Sequence, residues 1–151
     1  MGSIFNLDFQ DFIRALNDAE VRYMLLGGYA VILFGYDRTT GDMDVWVERT
    51  VGNYERLEKA FLLFGMPLFD MTEVAFLNVH DSDVFSFGSP PSSIELLTNP
   101  KGVVFDDCYS RSNWHEHEGL KLRLIAKEDL LVAKRAVARP RDIDDIRRLE
   151  N

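Results

Sequence analysis

The stretch from Tyr23 to Glu48 constrains this chain more than any other segment. It reads Tyr-Met-Leu-Leu-Gly-Gly-Tyr-Ala-Val-Ile-Leu-Phe-Gly-Tyr-Asp-Arg-Thr-Thr-Gly-Asp-Met-Asp-Val-Trp-Val-Glu. An apolar strand runs into a glycine pair, a short apolar helix follows, and a second strand opens with Asp-x-Asp. Side chains two apart on a strand point to one face. Asp42 and Asp44 can therefore converge on one hard cation from a rigid element. Gly27 and Gly28 stand at a strand-to-helix junction, where backbone N–H groups can receive a phosphate. The same glycines also suit a tight turn and close helix packing without any ligand. A phosphate cradle beside paired carboxylates points to metal-dependent phosphoryl chemistry.

The rest of the chain reads as alternating helices and strands. Leu7–Glu20 has Phe9, Phe12, Ile13 and Leu16 at helical spacing, with Asp8 placed to cap or charge its first turn. Val21–Leu26 is a strand, and Tyr29–Phe34 is a short helix after the glycines. Asp42–Glu48 alternates with a period of two, as a half-buried strand with the carboxylates on its other face. Asn53–Phe64 is a second amphipathic helix, ended by Gly65-Met66-Pro67. Thr72–Leu77 is ambiguous. Val84–Phe87 and Ile94–Thr98 are short strands, separated by a Gly/Ser/Pro loop from Gly88 to Ser93. Trp114–His117 and Leu120–Ile125 are strands joined at Glu118-Gly119. Ala126–Ala138 is a helix, and Pro140 opens another that ends near Leu149. This order predicts one α/β (α+β) domain over residues 1–151: a central mixed sheet flanked by helices, closed by a C-terminal helix pair.

Composition narrows the function. At 151 residues the chain can bury a core of its own. The net charge of −8 argues against general binding to duplex nucleic acid. Residues 121–148 nevertheless carry nine Lys and Arg against five acids, a local balance of +4. Such a basic section opposite an acidic front could attract a triphosphate, or be a solvated helical surface. No apolar run is long enough to span a bilayer, and residues 1–20 carry no signal-peptide pattern. The single cysteine, Cys108, excludes an internal disulfide framework. It fits a reducing cytoplasm and a packing role.

Mg²⁺ takes oxygen ligands and usually shares its shell between carboxylates and substrate phosphates. Glu95 is the best third carboxylate, being one acid in a short apolar strand, where it is costly unless exposed, paired or metal-bound. Asp83 and Glu48 are alternatives, and Asp37 reads as a turn residue. His115 and His117 alternate on a strand but lack a third ligand nearby, so a surface hairpin is the better reading. His80 reads as a loop residue. Tyr29 and Tyr36 flank the nucleotide helix and could stack on a base. Asp144 and Asp145 read as partners of Arg141 and Arg148 at helical spacing.

Gly-Gly, a short helix and Arg38-x-Thr40-x-Asp42-x-Asp44 resemble the nucleotidyltransferase superfamily related to DNA polymerase beta. The resemblance is strongest to its compact members, which include the AbiEii-type toxins and minimal nucleotidyltransferases. It extends to Glu95-Leu-Leu-Thr98, and to Lys134-Arg-Ala-Val-Ala-Arg-Pro-Arg-Asp-Ile-Asp-Asp145, similar to the family's Lys-x-x-x-x-Arg-Pro-x-Asp-x-x-Asp pattern. It covers residues 8 to 149. It implies the nucleotidyltransferase fold and transfer of a nucleoside monophosphate from an NTP to an acceptor hydroxyl. Gly27 and Gly28 would line the triphosphate. Asp42, Asp44 and Glu95 would be the catalytic, metal-binding carboxylates, holding Mg²⁺ with Mn²⁺ as the alternative. Arg38, Thr40, Lys134 and Arg139 would serve the nucleotide, Arg with a bidentate contact. Glu95 departs from the family's usual aspartate, and a misplaced catalytic group can lose ~10²-fold in rate. The acceptor is left open among a small molecule, a tRNA and a protein, and a homodimer could complete the cleft. A second expectation is a catalytically weak or inactive nucleotidyltransferase-fold component of a toxin–antitoxin or other partner-binding system.

Overall fold

The computed structural model describes residues 4–78, 83–89 and 93–151. Its strands are β1 (Tyr23–Leu26), β2 (Met43–Val47), β3 (Val84–Phe87), β4 (Ile94–Leu97), β5 (Asn113–His117) and β6 (Leu120–Leu124). Its helices are α1 (Leu7–Asp18), α2 (Gly27–Leu33), α3 (Val51–Phe64), α4 (Glu73–Leu77), α5 (Phe105–Arg111), α6 (Lys127–Val137) and α7 (Pro140–Glu150). The six strands form one mixed sheet in the order β3-β4-β2-β1-β6-β5. Pairing is antiparallel except for β2 with β4 and β1 with β6. A mixed sheet with flanking helices and a final helix pair is the architecture expected from the sequence.

The register sorts side chains onto two faces. Tyr23, Leu25, Val45, Val47, Leu96 and Phe85 share one face, with Tyr23 opposite Val47 and Phe85 opposite Leu96. All are buried, and α3 covers this face, with Phe61 meeting Phe87 at 4.8 Å. Phe12 of α1 packs edge-on against Phe61 and Phe64, so the first helix joins the same core. The opposite face carries Met24, Leu26, Asp44, Trp46, Glu95, Leu97, Val84 and Ser86. At one end of it Trp46 is buried against Phe105 of α5. At the other end the polar residues begin. β2 is therefore buried along one face and, on the other, at Trp46 but only partly at Asp44, because α5 covers one end of that second face.

Local signals explain most boundaries. α1 is capped by Asn6, whose Oδ1 accepts from Phe9 N at 2.8 Å, rather than by Asp8. α3 starts at Val51 because Thr50 caps it, accepting from Asn53 N at 3.1 Å. Asn53 is fully buried there and binds the backbone of Arg22 and Glu48, tying α3 to the β1–β2 pair. The ambiguous 72–77 stretch is a short helix capped by Thr72. α5 was not expected from the pattern. It has a single buried residue, Cys108, so it shows no apolar stripe to read. Burial also raises the Cys108 thiol pKa, in keeping with a packing role. β5 and β6 form the expected hairpin at the sheet edge, turning at Glu118-Gly119. No helix among the described residues is long and apolar enough to cross a membrane.

Candidate active site

Two adjacent strands, β2 and β4, bring the carboxylates together. Asp44 lies opposite Leu26 on one side and Glu95 on the other. Glu95 lies opposite Ser86. Leu26, Asp44, Glu95 and Ser86 therefore form one row across four strands, on one face of the sheet. Asp42 stands just before β2, exposed at the mouth. A cleft of about 480 Å³ opens over Leu26, Asp44 and Glu95 of this row. Its lining includes all nine residues singled out in the sequence: Gly27, Gly28, Arg38, Thr40, Asp42, Asp44, Glu95, Lys134 and Arg139.

The glycine pair fits the register. Gly27 follows directly on Leu26, so it must pass Asp44. It has φ +72°, and a Cβ there would fall on the Asp44 carboxylate, 2.9 Å from its Cγ. A Cβ on Gly28 would land on the Arg38 guanidinium and lie 2.8 Å from Thr40 Cβ. Both positions need glycine for close approach. The approach is to the very side chains that line the cleft, so the packing reason and the site coincide.

Opposite the acids stands a cationic wall built on α6 and α7. Lys134 Nζ lies 2.8 Å from Asp145 and 3.4 Å from Asp142. Arg38 Nε reaches Asp145 at 2.8 Å. Asp142 also accepts from the Arg139 backbone N at 3.1 Å and from Arg139 Nε at 2.8 Å, closing the first turn of α7. Asp145 thus bridges two cations, one on each oxygen. Arg38 lines the cleft with a side chain 8% exposed, and its Nη1 is buried without a hydrogen-bond partner. The sequence reading of Asp145 as a surface partner of Arg141 or Arg148 is corrected here. α7 packs on α6 and turns Asp142 and Asp145 inward, while Asp144 stays outside with Arg147 at 3.8 Å.

Electrostatics divides the cleft. The Asp44 pKa is pushed up from 3.8 to about 6, first by burial and then by the charges of Glu95 and Asp42, with Lys134 and Arg139 partly offsetting this. The carboxylate side is short of positive charge where a divalent cation would supply it. Among the described residues no three Asp, Glu, His or Cys side chains form a ready-made metal site. Asp42, Asp44 and Glu95 are thus not gathered into such a site; Mg²⁺ takes part of its shell from phosphate oxygens and water. The oxygen-only donors fit the same ion.

Other candidates fall outside this cluster. Glu48 accepts from Arg22 at 2.8 Å and lies past the far end of β2. Asp83 lines the cleft but is held by Arg49 at 3.2 Å. Asp37 lies just after the turn that follows α2, and its carbonyl accepts from Arg148. Tyr29 is buried, stacked on Phe5 and edge-on to Phe9, so it packs the core instead of offering a face to a base. Tyr36 faces Lys127 at 5.6 Å. His80 lies outside the described residues. Sequence reasoning missed Ser86 and the inward roles of Asp142 and Asp145. An acid pair at i, i+3 on the last helix was the available signal.

No family profile and no curated protein matches the sequence. Solved structures do match. A Thermotoga maritima protein assigned as a nucleotidyltransferase superposes with TM-score 0.62 at 13% identity, over 95% of this chain and 90% of that one. The lincosamide antibiotic adenylyltransferase LnuA, crystallised with lincomycin, gives 0.58 at 16% identity and 99% of both chains. An antigenic nucleotidyltransferase-like protein from Paracoccidioides brasiliensis gives 0.58 at 18% identity, over 97% of this chain and 76% of that one. Together with the mixed sheet and its flanking helices, these likenesses establish that the chain has the nucleotidyltransferase fold.

Proposed function

We propose that the chain is a nucleotidyltransferase that transfers a nucleoside monophosphate from an NTP to an acceptor hydroxyl, with Mg²⁺ or Mn²⁺ as cofactor. The observation that carries this reading is the division of one cleft into an acidic row and a cationic wall. The LnuA likeness supports nucleotidyl transfer, adenylyl in that protein.

In this reading the backbone at Gly27 and Gly28 receives the triphosphate. Arg38, packed against Gly28, neutralises its charge together with Lys134 and Arg139. Asp44, with Asp42 and Glu95, would hold the cation together with phosphate oxygens. Bound there, a divalent cation would offset the charge that develops on the leaving pyrophosphate. The acceptor oxygen forms a bond to the α-phosphorus as the bond to the β-phosphate bridging oxygen breaks. Glu95 takes the hydroxyl proton, and pyrophosphate leaves toward Lys134 and Arg139. Positioning supplies most of the rate. The partner-binding alternative calls for an occluded cleft or a Glu95 turned away, whereas the cleft is open and Glu95 lines it.

Calorimetric titration with each NTP, with and without Mg²⁺, tests the reading beside an Asp42→Ala/Asp44→Ala variant. Mg²⁺-dependent binding that the variant loses is expected. No binding at millimolar nucleotide would refute it.

A further inference from the structure

We propose that Ser86 is a positioning residue for Glu95, the element that lets glutamate stand where aspartate would otherwise serve. This rests on the proposed transferase function. Glu95 carries one more rotatable bond than aspartate. Left free, its carboxylate would sweep an arc instead of sitting beside Asp44, and a displacement of about 1 Å at a reacting centre can cost ~10²-fold. Ser86 lies directly opposite Glu95 on the adjoining strand β3. Its Oγ donates a hydrogen bond to Glu95 Oε2.

The geometry is specific to this pair. β3 is an edge strand, exposed at Val84 and Ser86 and buried at Phe85 and Phe87. Phe85 and Phe87 anchor the strand in the core, so the backbone under Ser86 is fixed by packing. Glu95 stands on β4 between Asp44 and Ser86. With Oε2 engaged by Ser86, Oε1 remains for the cation or for the proton of the acceptor. Ser86 itself does not line the cleft. It acts through Glu95 and touches no substrate.

The test needs no acceptor. Mn²⁺ with inorganic tripolyphosphate serves as the probe, titrated with protein and followed by the Mn²⁺ electron paramagnetic resonance signal. Wild type, Ser86→Ala, Ser86→Thr, Glu95→Asp and Glu95→Asp/Ser86→Ala are compared. Ser86 is exposed on an edge strand, so all Ser86 variants should unfold at the wild-type temperature. Ser86→Ala should weaken binding roughly tenfold, the scale of one charge-assisted hydrogen bond. Ser86→Thr keeps the hydroxyl on a strand-favouring residue and should stay within about twofold of wild type. In the Glu95→Asp background the shorter side chain no longer reaches Ser86, so adding Ser86→Ala should change nothing. The proposal is overturned if Ser86→Ala binds like wild type, or if Ser86→Thr fails to restore what Ser86→Ala loses. Absence of binding in wild type itself would overturn the transferase reading together with this one, a distinguishable result.

Discussion

Replacing Asp44 by Asn should stabilise the metal-free protein at neutral pH and above. Asp44 stands near Glu95 and Asp42, and its pKa is pushed from 3.8 to about 6, first by its own burial and then by their charges. The sign follows from linkage. A carboxyl raised in the folded state binds its proton more tightly there than in the unfolded chain. Its contribution to stability is intact below about pH 4 and is lost as pH rises through 6. Two pKa units correspond to about 3 kcal/mol. Asn is neutral at every pH and nearly the same shape, so it avoids this loss. For a chain of 151 residues that is a rise in Tm of about 6–12 °C at pH 8. Urea unfolding in EDTA at pH 8, 6 and 4 checks it. The gap between variant and wild type should be largest at pH 8 and vanish near pH 4. Adding Mg²⁺ at pH 8 should narrow it by stabilising the wild type alone. A variant no more stable than wild type at pH 8, or a gap that ignores pH, would refute the reasoning.

Three further outcomes follow from the same geometry. Asp145→Ala leaves Arg38 and Lys134 buried with a lost partner and should cost about 3–5 kcal/mol in urea unfolding. Gly28→Ala pushes the Arg38 guanidinium and Thr40 aside and should weaken Mg²⁺-dependent NTP binding by calorimetry at least about tenfold. Ala138 ends α6 with φ 53°, a left-handed conformation that glycine adopts without strain. Ala138→Gly should therefore raise stability by about 0.5–1 kcal/mol in thermal unfolding.

Local spacing carried the front of the site. Gly-Gly ahead of Asp-x-Asp can be read because each feature depends on neighbours one to four residues away, and Asp44 beside Gly27 is a consequence of one tight strand pair. Glu95 could be named as an acid in an apolar strand. Its partner Ser86 could not, because only the antiparallel register of β3 on β4 sets them opposite. The Gly88–Ser93 stretch between them, expected to be a loop and lying partly outside the described residues, gives no reading of that register.

The cationic wall was legible in residue type but not in arrangement. Lys134 and Arg139 were named, yet the acids that hold them were read as surface groups. The cause lies in α7. Its buried positions are Asp142, Asp145 and Leu149, a stripe at helical spacing. Two of the three are acids, while Ile143 on the same helix is 41% exposed. A hydrophobicity pattern turns such a helix the wrong way round. What turns it correctly is charge. A buried carboxylate is tolerated only when paired, and beyond Arg139 at the helix's own N-terminus the partners are Lys134 on α6 and Arg38 on the loop after α2. α7 thus docks through ion pairs where an ordinary closing helix would dock through leucines. That docking leaves Arg38 Nη1 buried without a hydrogen-bond partner, beside an Nε that is paired to Asp145 at 2.8 Å.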